Sequence, residues 1–184
     1  MRFSFVKLGL VAMAAAGLAP VHAALLGSDV TGTLLFPDLS TVFSGPEGPF
    51  TVSGAVEFTT GTLTASGSID VTDNQIIWTA AFSTSYGSGA FNGFRLVFSG
   101  APPITNVTLN PATTLTPVGF SFTGNEVFFN LAGVSAATGQ QTILDVTVGP
   151  TAIPEPGTPL MLGIGILGLA TAGARRFLSS KMSS

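Results

Sequence analysis

Between residues 24 and 153 no stretch keeps its apolar residues at helical spacing; short runs alternate apolar and polar positions instead. Gly, Pro, Asn and Asp interrupt these runs, and they are the residues that turns demand. The pattern predicts strands over 30–36, 50–58, 63–72, 75–82, 93–99, 104–109, 118–123, 126–131 and 142–148. About nine short strands at this spacing predict an all-β fold, an antiparallel β-sandwich of jelly-roll-like or Ig-like type.

Register follows from the turns. With Asp73-Asn74 as a two-residue turn, Val71 faces Ile76, Ile69 faces Trp78, Gly67 faces Ala80 and Ala65 faces Phe82, all on one side. Ser66, Ser68, Asp70 and Thr79 fall on the other. A loop over 59–62 then sets Val52 beside Ile69, Gly54 beside Gly67 and Val56 beside Ala65. Three strands would share one buried face, which a slip of one residue would invert. Trp78 belongs to the core on this reading, with Gly54 and Gly67 leaving room for its ring; a sugar-stacking Trp78 is the alternative. With Gly124-Asn125 as a second turn, Phe122 faces Val127, Phe120 faces Phe129 and Val118 faces Leu131. Phe128 falls on the opposite, polar side, either covered by a loop or part of a contact surface. Residues 83–92, with Gly87-Ser88-Gly89, read as a long flexible connection.

The two ends of the chain follow different rules. Arg2 and Lys7 open a basic stretch, residues 8–18 are apolar and rich in Ala, and Val21-His22-Ala23 precedes a cleavage point between Ala23 and Ala24. This predicts a secretory signal peptide over 1–23, with an uncleaved signal anchor as the alternative. The ectodomain then occupies 24–150, a tether 151–158, one transmembrane helix with a basic end 159–176, and a cytoplasmic tail 177–184.

Pro154 and Pro156 lack an amide proton and fix φ, and the residue before each is pushed to extended geometry. Ile153 to Pro156 should therefore be stiff and non-helical, a shape that a processing enzyme can grip. No charge occurs over 159–174; as a helix these residues would reach about 24 Å, somewhat short of the roughly 30 Å hydrocarbon core. Snorkelling by Arg175 and Arg176 and local thinning would make up the difference. With Lys181, those arginines orient the C-terminus to the cytoplasm.

Pro154-Glu155-Pro156-Gly157, the apolar run that follows and Arg175-Arg176 together resemble the PEP-CTERM sorting signal of Gram-negative bacteria. Pro159 early in the apolar run and the extension over 177–184 depart from the usual pattern. The resemblance implies an exosortase, a membrane cysteine protease, as processing partner. It implies an inner-membrane intermediate, and then a place on the cell surface or in the extracellular matrix, often with exopolysaccharide or biofilm. A plain membrane anchor that is never cut is the alternative. Residues 91–148 are also loosely similar to ectodomains that accompany this tail, which implies no activity.

Charge separates the ends from the middle. Arg2, Lys7, Arg175, Arg176 and Lys181 lie in the terminal segments, and Arg95 is the one base of the ectodomain. Against Asp29, Asp38, Glu47, Glu57, Asp70, Asp73, Glu126 and Asp145 this leaves eight carboxylates, one guanidinium and a net charge of −7. Nucleic acid is an unsuitable partner, because phosphate contacts need Lys and Arg. The chain has no Cys, so the core alone must hold an exported domain. Between 24 and 153 there is no His or Lys either, which removes Ser-His-Asp and Cys-His catalysis and the usual zinc sites. A carboxylate-based glycoside hydrolase would need Glu47, Glu57 or Glu126; the predicted faces turn Glu57 and Glu126 outward near turns. Asp70, Asp73 and Asn74 offer oxygens to calcium without the spacing of a loop motif. The expectation is a non-enzymatic protein without cofactor or metal, or a glycan-binding adhesin that uses Phe128 and Tyr86.

Overall fold

A computed structural model describes residues 24–61 and 63–150. The expected signal peptide, tether, membrane helix and tail, with Pro154, Glu155, Pro156, Gly157, Arg175 and Arg176, lie outside the described residues, as does Ala23. The strands are β1 Asp29–Leu35, β2 Val42–Thr51, β3 Gly67–Val71, β4 Gln75–Ala80, β5 Thr84–Ser85 and β6 Gly93–Ser99. They continue with β7 Ile104–Leu109, β8 Gly119–Phe122, β9 Glu126–Asn130, β10 Ser135–Ala136 and β11 Gln141–Val148. Among the described residues there is no helix. The fold is all-β and antiparallel, with nine strands of four residues or more and two of two residues.

Both turns expected from the sequence form with the expected register. Gly67 faces Ala80, Ile69 faces Trp78 and Val71 faces Ile76 across Asp73-Asn74. Phe120 faces Phe129 and Phe122 faces Val127 across Gly124-Asn125. One sheet runs β2-β1-β6-β9-β8 and a second β3-β4-β11-β7, with β10-β5 as a small ribbon. A single apolar core joins the two larger sheets. Trp78 of β4 lies 6.5 Å from Phe94 of β6, which lies 5.0 Å from Phe129 of β9. Trp78 is 0% exposed, so the core reading holds and a sugar cannot reach its ring. Gly67 is required beneath it: a Cβ there would come 2.8 Å from Trp78 Nε1 and 2.5 Å from the Thr79 carbonyl oxygen.

The second strand lies earlier than predicted, at Val42–Thr51 and not 50–58. Asp38 makes the connection tight: its carboxylate accepts from the Ser40 and Thr41 amides, both at 2.9 Å. Phe36 N–H donates to the Thr41 carbonyl, and the chain returns directly along β1. Pro46 and Pro49 are tolerated because β2 is an edge strand, where only one side must donate. Beyond β2 the chain leaves the sheet, and the expected pairs Val52/Ile69, Gly54/Gly67 and Val56/Ala65 do not form. Val52 N–H donates to Ser28 O instead, and only Phe58 returns, as an isolated bridge to Ile69. Gly54, Val56 and Ala65 are exposed, and Gly54 has open space beside it rather than an indole.

Glu57 is also corrected. It is buried, not solvated near a turn. Its carboxylate accepts from Ser53 N–H at 2.9 Å and Val71 N–H at 2.7 Å. Val71 sits on the open edge of β3, where no strand supplies an acceptor, so the side chain does. The face predicted for β8 is right, but its burial is not: Phe120 and Phe122 are each 38% exposed. β8 is the outermost strand of its sheet, and its apolar side is only partly roofed. Ala65 and Phe82 lie past the ends of β3 and β4 and are exposed.

The chain enters and leaves the domain at one end. Leu25 N–H donates to the Asp73 carbonyl and Val146 N–H to the Asn74 carbonyl. Gly149 N–H donates to Pro103 O, and Ile104 N–H to Gly124 O. Residue 25, residues 146–149 and the turns at 73–74 and 124–125 therefore cluster together. The loops 36–41, 81–92 and 131–140 follow the far ends of β1, β4 and β9 and lie at the opposite end.

Candidate binding pocket

At that opposite end the structure has a cavity of about 270 Å³. Leu34 and Phe36 reach it from the end of β1, Phe43 from the start of β2, and Thr64 from the segment crossing to β3. Thr84, Ser85, Tyr86 and Gly87 come from β5 and just beyond, and Asn92 from the residue before β6. The predicted flexible connection over 83–92 is thus built into a wall. Tyr86 N–H donates to Val134 O, Gly133 N–H donates to Tyr86 O, and the Ser85 and Ser135 hydroxyls lie 2.9 Å apart.

The turn at Asp38 also fixes the aromatic side of the cavity. It brings Phe36 and Phe43 edge to face, 6.2 Å apart at 86°, a geometry that the ring quadrupoles favour. The amide and hydroxyl bonds from Ser40 and Thr41, the Ser40 hydroxyl first, hold the Asp38 carboxyl below the usual carboxylate range. Phe43 is 68% exposed, and with Leu39 and Val42, also exposed, it makes an apolar lip.

Polar groups line the other side. The Tyr86 hydroxyl, Ser66 Oγ and Thr64 Oγ1 form a chain at 2.9 and 2.8 Å. Asn92 is buried; its Nδ2 donates to Gly87 O at 3.0 Å, and its own amide donates to Asn130 Oδ1 at 2.9 Å. Neither Asn92 Oδ1 nor the Thr84 hydroxyl has a hydrogen-bond partner among the described residues. Tyr86 is the one ionisable group of the lining, and burial pushes its phenol up to about 12, against the Ser66 hydroxyl, which lowers it. The lining is therefore uncharged at neutral pH.

Tyr86 is the only tyrosine of the chain, so its titration is directly visible. Tyrosinate absorbance of the folded protein is expected to rise with a midpoint at about 12, against about 10 for the denatured chain. Because the folded value is raised, its contribution to stability is complete below about pH 10 and is lost as pH rises through the folded value. A folded midpoint at the denatured value would contradict the burial.

The two aromatic residues singled out as contacts are not brought together. Tyr86 lines the cavity and packs edge-on against Trp78, 5.9 Å away. Phe128 lies on the outer side of the five-stranded sheet, paired with Arg95 and Ser121. It is half-buried, with Arg95 against it: Arg95 Cζ lies 6.0 Å from its ring centroid, and Arg95 is also ion-paired to Glu126. Sequence reasoning missed Phe36, Phe43, Thr64, Thr84 and Asn92. Of the carboxylates considered for chemistry, Glu57 accepts from backbone amides and Glu126 is ion-paired with Arg95. Among the described residues no group of three or more His, Cys, Asp or Glu side chains could hold a metal ion.

Comparison with known proteins concerns a different part of the chain. Residues 152–176 match the family model of the PEP-CTERM protein-sorting motif. No curated protein matches the chain, and no solved structure matches it. The matched span contains Pro154, Glu155, Pro156 and Gly157 and ends on Arg175 and Arg176. The chain thus carries, in residues 152–176, a PEP-CTERM sorting motif, which marks it as an exported protein directed to an exosortase.

Proposed function

We propose that this protein is an exported, non-enzymatic β-sandwich that acts at the cell surface or in the extracellular matrix, in association with exopolysaccharide or biofilm. The observation that carries the reading is the sorting motif at 152–176. Its attachment to a domain without His, Cys or Lys between residues 24 and 153 supports a structural or adhesive role over catalysis. The net charge of −7 over the same residues argues against nucleic acid as a partner. The path runs through an inner-membrane intermediate anchored by 159–176, with exosortase as the processing partner.

Intact mass and cell fractionation test this together. The exported wild-type chain is expected to lack residues 1–23 and the segment beyond the sorting motif. Replacing Pro154, Glu155 and Pro156 together by alanine is expected to leave the tail in place and the protein in the membrane fraction. Equal masses for both proteins, or an exported wild type that keeps both ends, would overturn the reading. A second reading, glycan binding, is supported by the uncharged pocket lined by Phe36, Phe43, Tyr86, Thr64, Thr84 and Asn92.

A further inference from the structure

We propose that this pocket receives a single neutral sugar ring, the end or a branch of a glycan. The inference rests on the glycan-binding reading and adds the site, the charge class and the size. A pyranose has an apolar face of C–H groups and a rim of hydroxyls, and the cavity offers a counterpart to each. Phe43 presents an exposed ring at the lip, braced by Phe36. The same lining holds Thr84 and Asn92, whose hydroxyl and side-chain oxygen have no hydrogen-bond partner among the described residues.

Other ligand classes fit less well. A purely apolar ligand would cover the Thr84 and Asn92 side chains and return no hydrogen bond, which is costly for the buried Asn92. An anionic sugar would meet no cation in the lining and a domain of net charge −7. Length is limited too. The cavity of about 270 Å³ is just under the usual range of roughly 300–1,000 Å³ for ligand sites. That is the size of site that encloses a single ring.

The test uses the mature exported protein and neutral gluco-, galacto- and manno-oligosaccharides, with oligogalacturonate and a detergent below its micelle concentration as comparisons. Binding is read by saturation-transfer NMR and by Trp78 fluorescence, since Trp78 contacts Tyr86. A neutral oligosaccharide is expected to bind, with saturation concentrated on one terminal or branch ring. Phe43→Ala is expected to weaken it about tenfold or more, each decade being about 1.4 kcal/mol. Thr84→Val should weaken it as well, while Phe128→Ala on the outer face should not. Phe43 is exposed, so its variant should keep the wild-type melting temperature. Retained affinity in both pocket variants with loss in Phe128→Ala would overturn the site and leave the glycan reading standing. Tighter binding of oligogalacturonate or detergent, lost in Phe43→Ala, would overturn the ligand class. No binding of any neutral oligosaccharide would overturn both the site and the reading.

Discussion

Trp78→Ala is expected to lower the unfolding free energy by about 3–5 kcal/mol, a large part of the roughly 5–15 kcal/mol that holds a domain folded. No other tryptophan exists in the chain, and this one is wholly buried where the two sheets meet. It contacts Phe94 on the opposite sheet and Tyr86 at the pocket wall, so its loss opens a cavity that joins both. Relaxation into that space is restricted from below, because Gly67 contributes no side chain to fill it. Its indole N–H has no acceptor among the described residues. Trp78→Phe should cost less than Trp78→Ala, since both remove the unpaired donor but Phe leaves the smaller void. Urea denaturation followed by far-ultraviolet circular dichroism measures both. A Trp78→Ala midpoint close to wild type would mean that the two sheets are not coupled through this ring.

Gly93→Ala is expected to be as damaging by the opposite mechanism. Gly93 begins β6 and pairs with Asn130 of β9. A Cβ at residue 93 would be driven into the Phe129 carbonyl oxygen and would lie 3.0 Å from Asn130 Cα. Both are backbone atoms of a strand paired on each side, so neither can step aside alone. Overpacking typically costs about 1–3 kcal/mol, and an immobile backbone neighbour places this site at or above the upper end. The shift would also displace Asn92, which precedes it and lines the pocket, so the proposed sugar binding should weaken together with the fall in melting temperature. Gly54→Ala is the control: nothing lies within 4 Å of its added carbon, and no change is expected. A Gly93→Ala protein that melts with the wild type would show the strand spacing there to be wider than described.

Much of the fold was legible because antiparallel hairpins are local. Asp73-Asn74 and Gly124-Asn125 each set the register of the strands beside them, and alternation set Trp78 opposite Ile69, Phe129 opposite Phe120 and Val127 opposite Phe122. The segment 42–58 was not legible for an equally physical reason. Pro46 and Pro49 look like strand breakers, and their tolerance on an edge depends on sheet order, which no local pattern reveals. Glu57 was misplaced because the open amide of Val71, which it serves, exists only once β3 is known to be an edge. Tyr86 could be noticed as a lone aromatic, but its pocket draws on residues 34–43, 64, 84–87 and 92, brought together by three loops. The sorting motif was legible throughout, since a processing enzyme reads it as a linear string and the fold need not assemble it.

The meeting of residues 25 and 146–149 at one end of the domain has a consequence for its connectivity. A short linker could join them, so a circular permutant opened in an exposed loop should keep the same two sheets.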